Sequence, residues 1–144
     1  MTELTHKRRE FRNINVFADL PGYRLPPAGW VSILHRVSGA LLFALLPFII
    51  WMFDTSVSSE ISFLRFTSAF HQGLLGVPGF VVKLVALALI WAYLHHLIAG
   101  LRHVYMDVNH AAAGKAFGRA SALATLVLSL ILTLGLGLKL FGLY

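Results

Sequence analysis

Residues 37–53 read VSGALLFALLPFIIWMF, an apolar run with no charged side chain. Extended back to Trp30, it reaches the roughly 20 residues that a helix needs to cross a hydrocarbon core about 30 Å thick. Two further stretches have the same character. One runs from Gly79 to Tyr105 and is interrupted by Lys83, His95, His96, Arg102 and His103. The other runs from Ala120 to Phe141, with Lys139 near its end. Composition agrees: the 144 residues are 58% hydrophobic and 12% charged, with a mean hydropathy of +0.76, whereas soluble domains carry about 25% charged residues. An ordinary soluble globule and a disordered chain are both excluded. The fold class is therefore an all-α integral membrane protein, a single domain with three transmembrane helices at about residues 30–53, 79–105 and 120–141 after a segment of residues 1–29. Pro47 is expected to bend the first helix, a distortion that membrane helices tolerate.

The chain has no cysteine. Disulfides, zinc–thiolate sites and iron–sulfur clusters ligated by this chain are excluded, and a redox centre here has to use histidine or methionine. The formal net charge of +6 fits a membrane protein with basic cytoplasmic ends better than a nucleic-acid binder, because the cations are not gathered on one polar element. Lys7, Arg8, Arg9, Arg12 and Arg24 precede the first helix. The loop from Asp54 to Pro78 holds only Arg65, and the link from Asp107 to Arg119 holds Lys115 and Arg119. The positive-inside rule then places the N-terminus and the second link in the cytoplasm. The first 29 residues do not read as a signal peptide or an import signal, which favours a bacterial inner membrane. A short surface helix near Phe11–Phe17 is expected before the breakers Pro21, Pro26 and Pro27.

Ionisable groups inside membrane helices are costly, and each raises a functional question. In the first helix Ser32, Arg36 and Gly39 form one stripe with His35 at its edge. Arg36 either snorkels to lipid phosphates or helps to form a polar pocket for an anion or a carbonyl. In the second helix Gly100, His103 and Asp107 recur at +4, +7 and +11 from His96, on one narrow face, and Gly100 leaves room beside His96. Metal or haem ligation is the functional reading of the His95–His96 pair: one is the ligand and the other a bonded neighbour. The third helix has neither His nor Met; His35 is the one plausible second ligand on another helix, nearer the surface than His96, and a three-helix chain has little surface to enclose a haem. A second chain is thus expected to supply the other ligand. His6, His71 and His110 read as solvated or interfacial.

Ser32-Ile33-Leu34-His35-Arg36-Val37-Ser38-Gly39 resembles S-I-x-H-R-x-[ST]-G, a signature of the larger cytochrome b anchor subunit of succinate dehydrogenase. His96-Leu97-Ile98-Ala99-Gly100-Leu101-Arg102-His103-Val104-Tyr105-Met106-Asp107 resembles that family's second signature, H-x3-G-[LIV]-R-[HF]-x-x-[FYWM]-D. The likeness covers about Leu20 to Asp107. The family's frequent Arg-Pro-x-Ser-Pro start is replaced by Leu20-Pro21-Gly22-Tyr23-Arg24-Leu25-Pro26.

The resemblance implies a heteromeric helical bundle with a second small anchor, docked to an iron–sulfur subunit and a flavoprotein that oxidises succinate. It implies one haem b shared between the anchors, with His96 as this chain's axial ligand, and a ubiquinone site to which Ser32 and Arg36 belong. His35 and Arg36 are expected at the haem propionates. Arg102 and Asp107 are expected as a structural pair at the helix end. No independent activity is expected of the chain. The rival readings are the anchor of a quinol:fumarate reductase and a haem-free structural anchor.

Overall fold

The computed structural model describes residues 13, 15–19, 22–109, 112 and 114–144. Among the described residues six helices follow in order: α1 Val16–Asp19, α2 Pro27–Ala44, α3 Leu46–Val57, α4 Glu60–His71, α5 Gly79–Val108 and α6 Lys115–Leu140. The described residues contain no strand beyond an isolated bridge between Leu74 and Val77. Helices α5 and α6 are each long and apolar enough to cross a membrane. Helices α2 and α3 qualify together, as one span bent by 60°. The chain is therefore an all-α membrane protein with three spans. Most of the expected surface helix near Phe11–Phe17 lies outside the described residues, as do Lys7, Arg8, Arg9, Arg12, His6 and His110. What is described there is the single turn α1, whose first amides at Phe17 and Ala18 donate to the Asn15 side chain at 3.0 and 3.3 Å.

The bend falls at Leu45, two residues before the proline expected to cause it. Pro47 has no N–H, and its ring clashes with the carbonyl one turn earlier, so the helix opens in the turn that precedes it. Leu45 takes φ −95° and ψ 9°, and α3 restarts with Pro47 in its first turn, where a missing N–H costs nothing. The loop from Asp54 to Pro78 also differs from expectation, because it contains α4. The cue is Ser59, whose Oγ accepts from the Ser62 amide at 3.1 Å while the Ser62 hydroxyl accepts from the Ser59 amide at 2.9 Å. That is a capping box with serine in place of the usual Glu or Gln.

Helices α2, α5 and α6 pack on one another. Between membrane helices the apolar effect is weak, so small residues that allow close approach, and hydroxyls, make the contacts. The buried face of α6 is Ala122, Thr125, Ser129, Thr133 and Gly137. A Cβ at Gly137 would come within 2.9 Å of the Leu87 side chain on α5. Val31, Ala99 and Ala122 form a buried knot where the three helices meet.

The end of α5 is tied to α6 by Arg102, whose Nε donates to Ser121 Oγ at 2.9 Å and whose Nη2 donates to the Gly118 carbonyl at 3.1 Å. The expected pairing with Asp107 is not what the described residues show. Asp107 is exposed, five positions along the helix and on another face, while Arg102 faces α6. Net contributions of about 1.5–3 kcal/mol are usual for hydrogen bonds to charged groups. Arg102→Leu is therefore expected to lower the thermal midpoint of the detergent-purified complex by several degrees, and Lys at this position to restore little, since it lacks the planar fork. An unchanged midpoint in Arg102→Leu would remove the clamp from the account.

Candidate functional site

The buried stripe of α5 is Val82, Ala86, Leu89, Ala92, His95 and Ala99, a 3–4 residue repeat facing the bundle. His95 belongs to that stripe and is fully buried. Its ring stacks on Trp91, centroids 5.6 Å apart, and its Nδ1 lies 3.3 Å from Ser129 Oγ on α6. His96 points about 100° away, onto the half-buried face that also carries Gly100 and His103. The two adjacent imidazoles thus have separate surroundings: His95 packs on Ser129 of α6 and beside the Val31 backbone of α2, and His96 on the turn His35–Gly39 of α2.

On α2 the turn His35–Gly39 receives His96. His96 Nδ1 lies 3.1 Å from the His35 carbonyl and 3.3 Å from Ser38 Oγ. A carbonyl can only accept, so Nδ1 carries the ring proton. The Ser38 hydroxyl donates its own proton to the same carbonyl at 2.9 Å. This fixes the tautomer and leaves the Nε2 lone pair of His96 without a hydrogen-bond partner among the described residues. The ring also stacks on His35 with centroids 4.1 Å apart and an interplanar angle of 14°. His103 is tilted against His35 at 5.3 Å.

Gly39 makes this approach possible. A Cβ there would lie 2.9 Å from His96 Cε1 and 3.3 Å from Nδ1, closer than side chains pack. Gly100 was expected to leave room beside His96 for a flat macrocycle or another helix, and that face does meet α2. A Cβ at Gly100 would instead meet only His35 Nε2, at an ordinary 3.6 Å. The tight passage is therefore on α2, because the His96 side chain leans across the interface onto that helix.

The structure brings together His35, His96 and His103 from the two signature segments. It does not bring in His95, Arg102 or Asp107. Among the described residues no three His, Cys, Asp or Glu side chains converge on a metal-ion site; the imidazoles stack instead. Ser32 and Arg36 lie one turn apart on α2. Ser32 is half-buried and Arg36 exposed, and neither makes a hydrogen bond or ion pair among the described residues. Every other described serine and threonine has a hydroxyl partner, and most bond a carbonyl of the preceding turn, as Ser38, Thr125 and Thr133 do. The Ser32 hydroxyl bonds no backbone carbonyl among the described residues.

Ser129 is a residue that sequence reasoning missed. The third helix reads as Leu-rich, yet Ser121, Thr125, Ser129, Thr133 and Gly137 recur every fourth residue through the leucines. That ladder of small and hydroxyl residues was the available signal.

Comparison with known proteins gives one consistent result. Residues 10–136 match the family model described as succinate dehydrogenase/fumarate reductase transmembrane subunit. The chain is 33% identical over 113 residues to the succinate dehydrogenase cytochrome b556 subunit of Coxiella burnetii, covering 78% of this chain and 85% of that one. It is 33% identical over 88 residues to the subunit of the same name from Paracoccus denitrificans, covering 61% and 62% of the two chains. A Rickettsia felis subunit of that name is 26% identical over 112 residues, covering 78% and 81%. With a family match that takes in both signature segments and all three spans up to Leu136, this chain belongs to the succinate dehydrogenase/fumarate reductase transmembrane subunit family.

Proposed function

We propose that the chain is a cytochrome b anchor of a succinate:quinone oxidoreductase. It docks the iron–sulfur and flavoprotein subunits to a bacterial inner membrane with its N-terminus cytoplasmic, provides one axial ligand to a haem b shared with a second small anchor, and forms part of the ubiquinone site. The observation that carries this reading is the His96 ring: Nδ1–H is held by the His35 carbonyl, and Nε2 is left bare. Metal-ligating histidines have this arrangement, in which the second nitrogen bonds a carbonyl and so fixes the tautomer and aims the other. The donor set fits a haem with one ligand from this chain, since no second imidazole opposes His96. His35 stacks alongside it, and His95 faces away. A haem bound there would supply a one-electron centre inside the membrane, tuned by its axial ligands and its burial.

The residues of this chain do the rest. His35 and Arg36 are placed to offer cationic partners to the propionates. The unengaged Ser32 hydroxyl can donate to a quinone carbonyl. The exposed Arg36 guanidinium, one turn along the same helix, can stabilise negative charge as that oxygen is reduced. The relatives are named as succinate dehydrogenase subunits, which favours succinate oxidation over the reverse direction. Ser32→Ala is expected to lower succinate:quinone reductase activity about tenfold, the effect of one hydrogen bond worth about 1.4 kcal/mol. Arg36→Leu is expected to lower it further, and dye-linked succinate oxidation should persist in both. Equal loss of both activities would show an assembly defect and remove the quinone-site assignment.

A further inference from the structure

From the buried contact between His95 and Ser129 we infer that Ser129 is a positioning residue, which sets the roll of α5 about its own axis and thereby aims His96. The inference rests on the reading of His96 as a haem ligand. His95 and His96 are neighbours about 100° apart on one helix, so fixing the direction of one side chain fixes that of the other. His95 is tied to α6 at Nδ1. The Ser129 hydroxyl gives its proton to the Leu126 carbonyl at 3.1 Å, so its oxygen accepts from His95 Nδ1–H at 3.3 Å. His95 Nε2 is buried with no hydrogen-bond partner among the described residues, so Ser129 is the one side chain there that anchors that ring, beside the Val31 backbone carbonyl of α2. Ser129 itself is 1% exposed. Its rung of the α6 ladder is therefore shielded from water, which could otherwise replace the lost bond.

About 100° around α5, His96 bonds the His35 carbonyl through the gap at Gly39. The helix is thus keyed from α6 and from α2 at adjacent residues. Without the Ser129 oxygen, His95 would lose its one side-chain partner on α6. The ring would turn or the helix roll to relieve this, and the His96 imidazole plane would turn with it.

The test uses the assembled, haem-containing complex and its low-field ferric EPR line, which depends on the orientation of the axial imidazole. Ser129→Ala removes only the hydroxyl. Thr133→Val does the same one rung along the ladder, where the hydroxyl bonds only the Ser129 carbonyl. The expected result is a displaced line, or loss of haem from an intact complex, in Ser129→Ala, with the native line in Thr133→Val. A native line in Ser129→Ala, or an equal displacement in both variants, overturns the inference. Either outcome leaves the ligand assignment standing, since that is decided separately by whether His96→Ala retains haem.

Discussion

The His96→Ala complex is expected to show no b-type band in a dithionite-reduced minus oxidised spectrum, with haem per complex falling from one to near zero, whereas His95→Ala keeps the band. On the proposed reading, removing His96 would leave the haem held by the other polypeptide alone. Among the described residues no other imidazole is placed to take over. His35 is stacked parallel to His96 at 4.1 Å and so flanks the ring without opposing it, and His103 is packed on His35. His95 faces α6, where the bundle covers it completely. The contrast between the two variants is the informative part, since the residues are adjacent, of one type, and equally able to disturb α5. Loss of the band in both would mean that the helix, and not one nitrogen, is what the haem requires. Retention in His96→Ala would remove the ligand assignment.

Gly39→Ala has the second largest expected effect, and its sign is opposite to what helix propensity alone would give. In an exposed helix interior Ala is favoured over Gly by about 0.8–1 kcal/mol. Here the added methyl would meet His96 Cε1 at 2.9 Å and Nδ1 at 3.3 Å. The ring cannot withdraw without lengthening its 3.1 Å hydrogen bond to the His35 carbonyl, the contact that fixes the tautomer. Either the helices separate or the ring turns, and packed interiors accommodate an extra methyl at a cost of about 1–3 kcal/mol. That corresponds to a several-fold to hundredfold weaker hold on the haem. The variant complex is expected to lose most of its haem on detergent purification while retaining its subunits, as measured by pyridine haemochrome against protein. Full retention would show that the His96–α2 contact has slack that the geometry does not suggest.

The membrane fold was legible because hydropathy acts over whole segments: Val37–Phe53 and the two later runs mark the spans without any knowledge of packing. The site was half legible. Periodicity separates the His95 face from the His96 face, but only tertiary contact shows which helix each face meets. Counting along one helix placed Gly100 beside His96, but it did not show that the His96 side chain leans across to Gly39 on another. The pairing of Arg102 with Asp107 failed for a related reason, since nearness along the helix said nothing of the acceptors that α6 presents at Gly118 and Ser121. Ser129 went unseen because a serine among leucines carries no signal until a buried imidazole is found opposite it. Helix α4 escaped because its cap uses two serines and its residues are less apolar than those of the spans.

The most direct test of the central claim is a cryo-electron microscopy map of the complex purified from its own membranes, read at the haem iron. The account predicts density joining the iron to His96 Nε2 on one face and to a residue of a different polypeptide on the other, with Nδ1 still on the His35 carbonyl. A porphyrin held on both faces by this chain, or a His96 side chain in contact with no porphyrin, would contradict it.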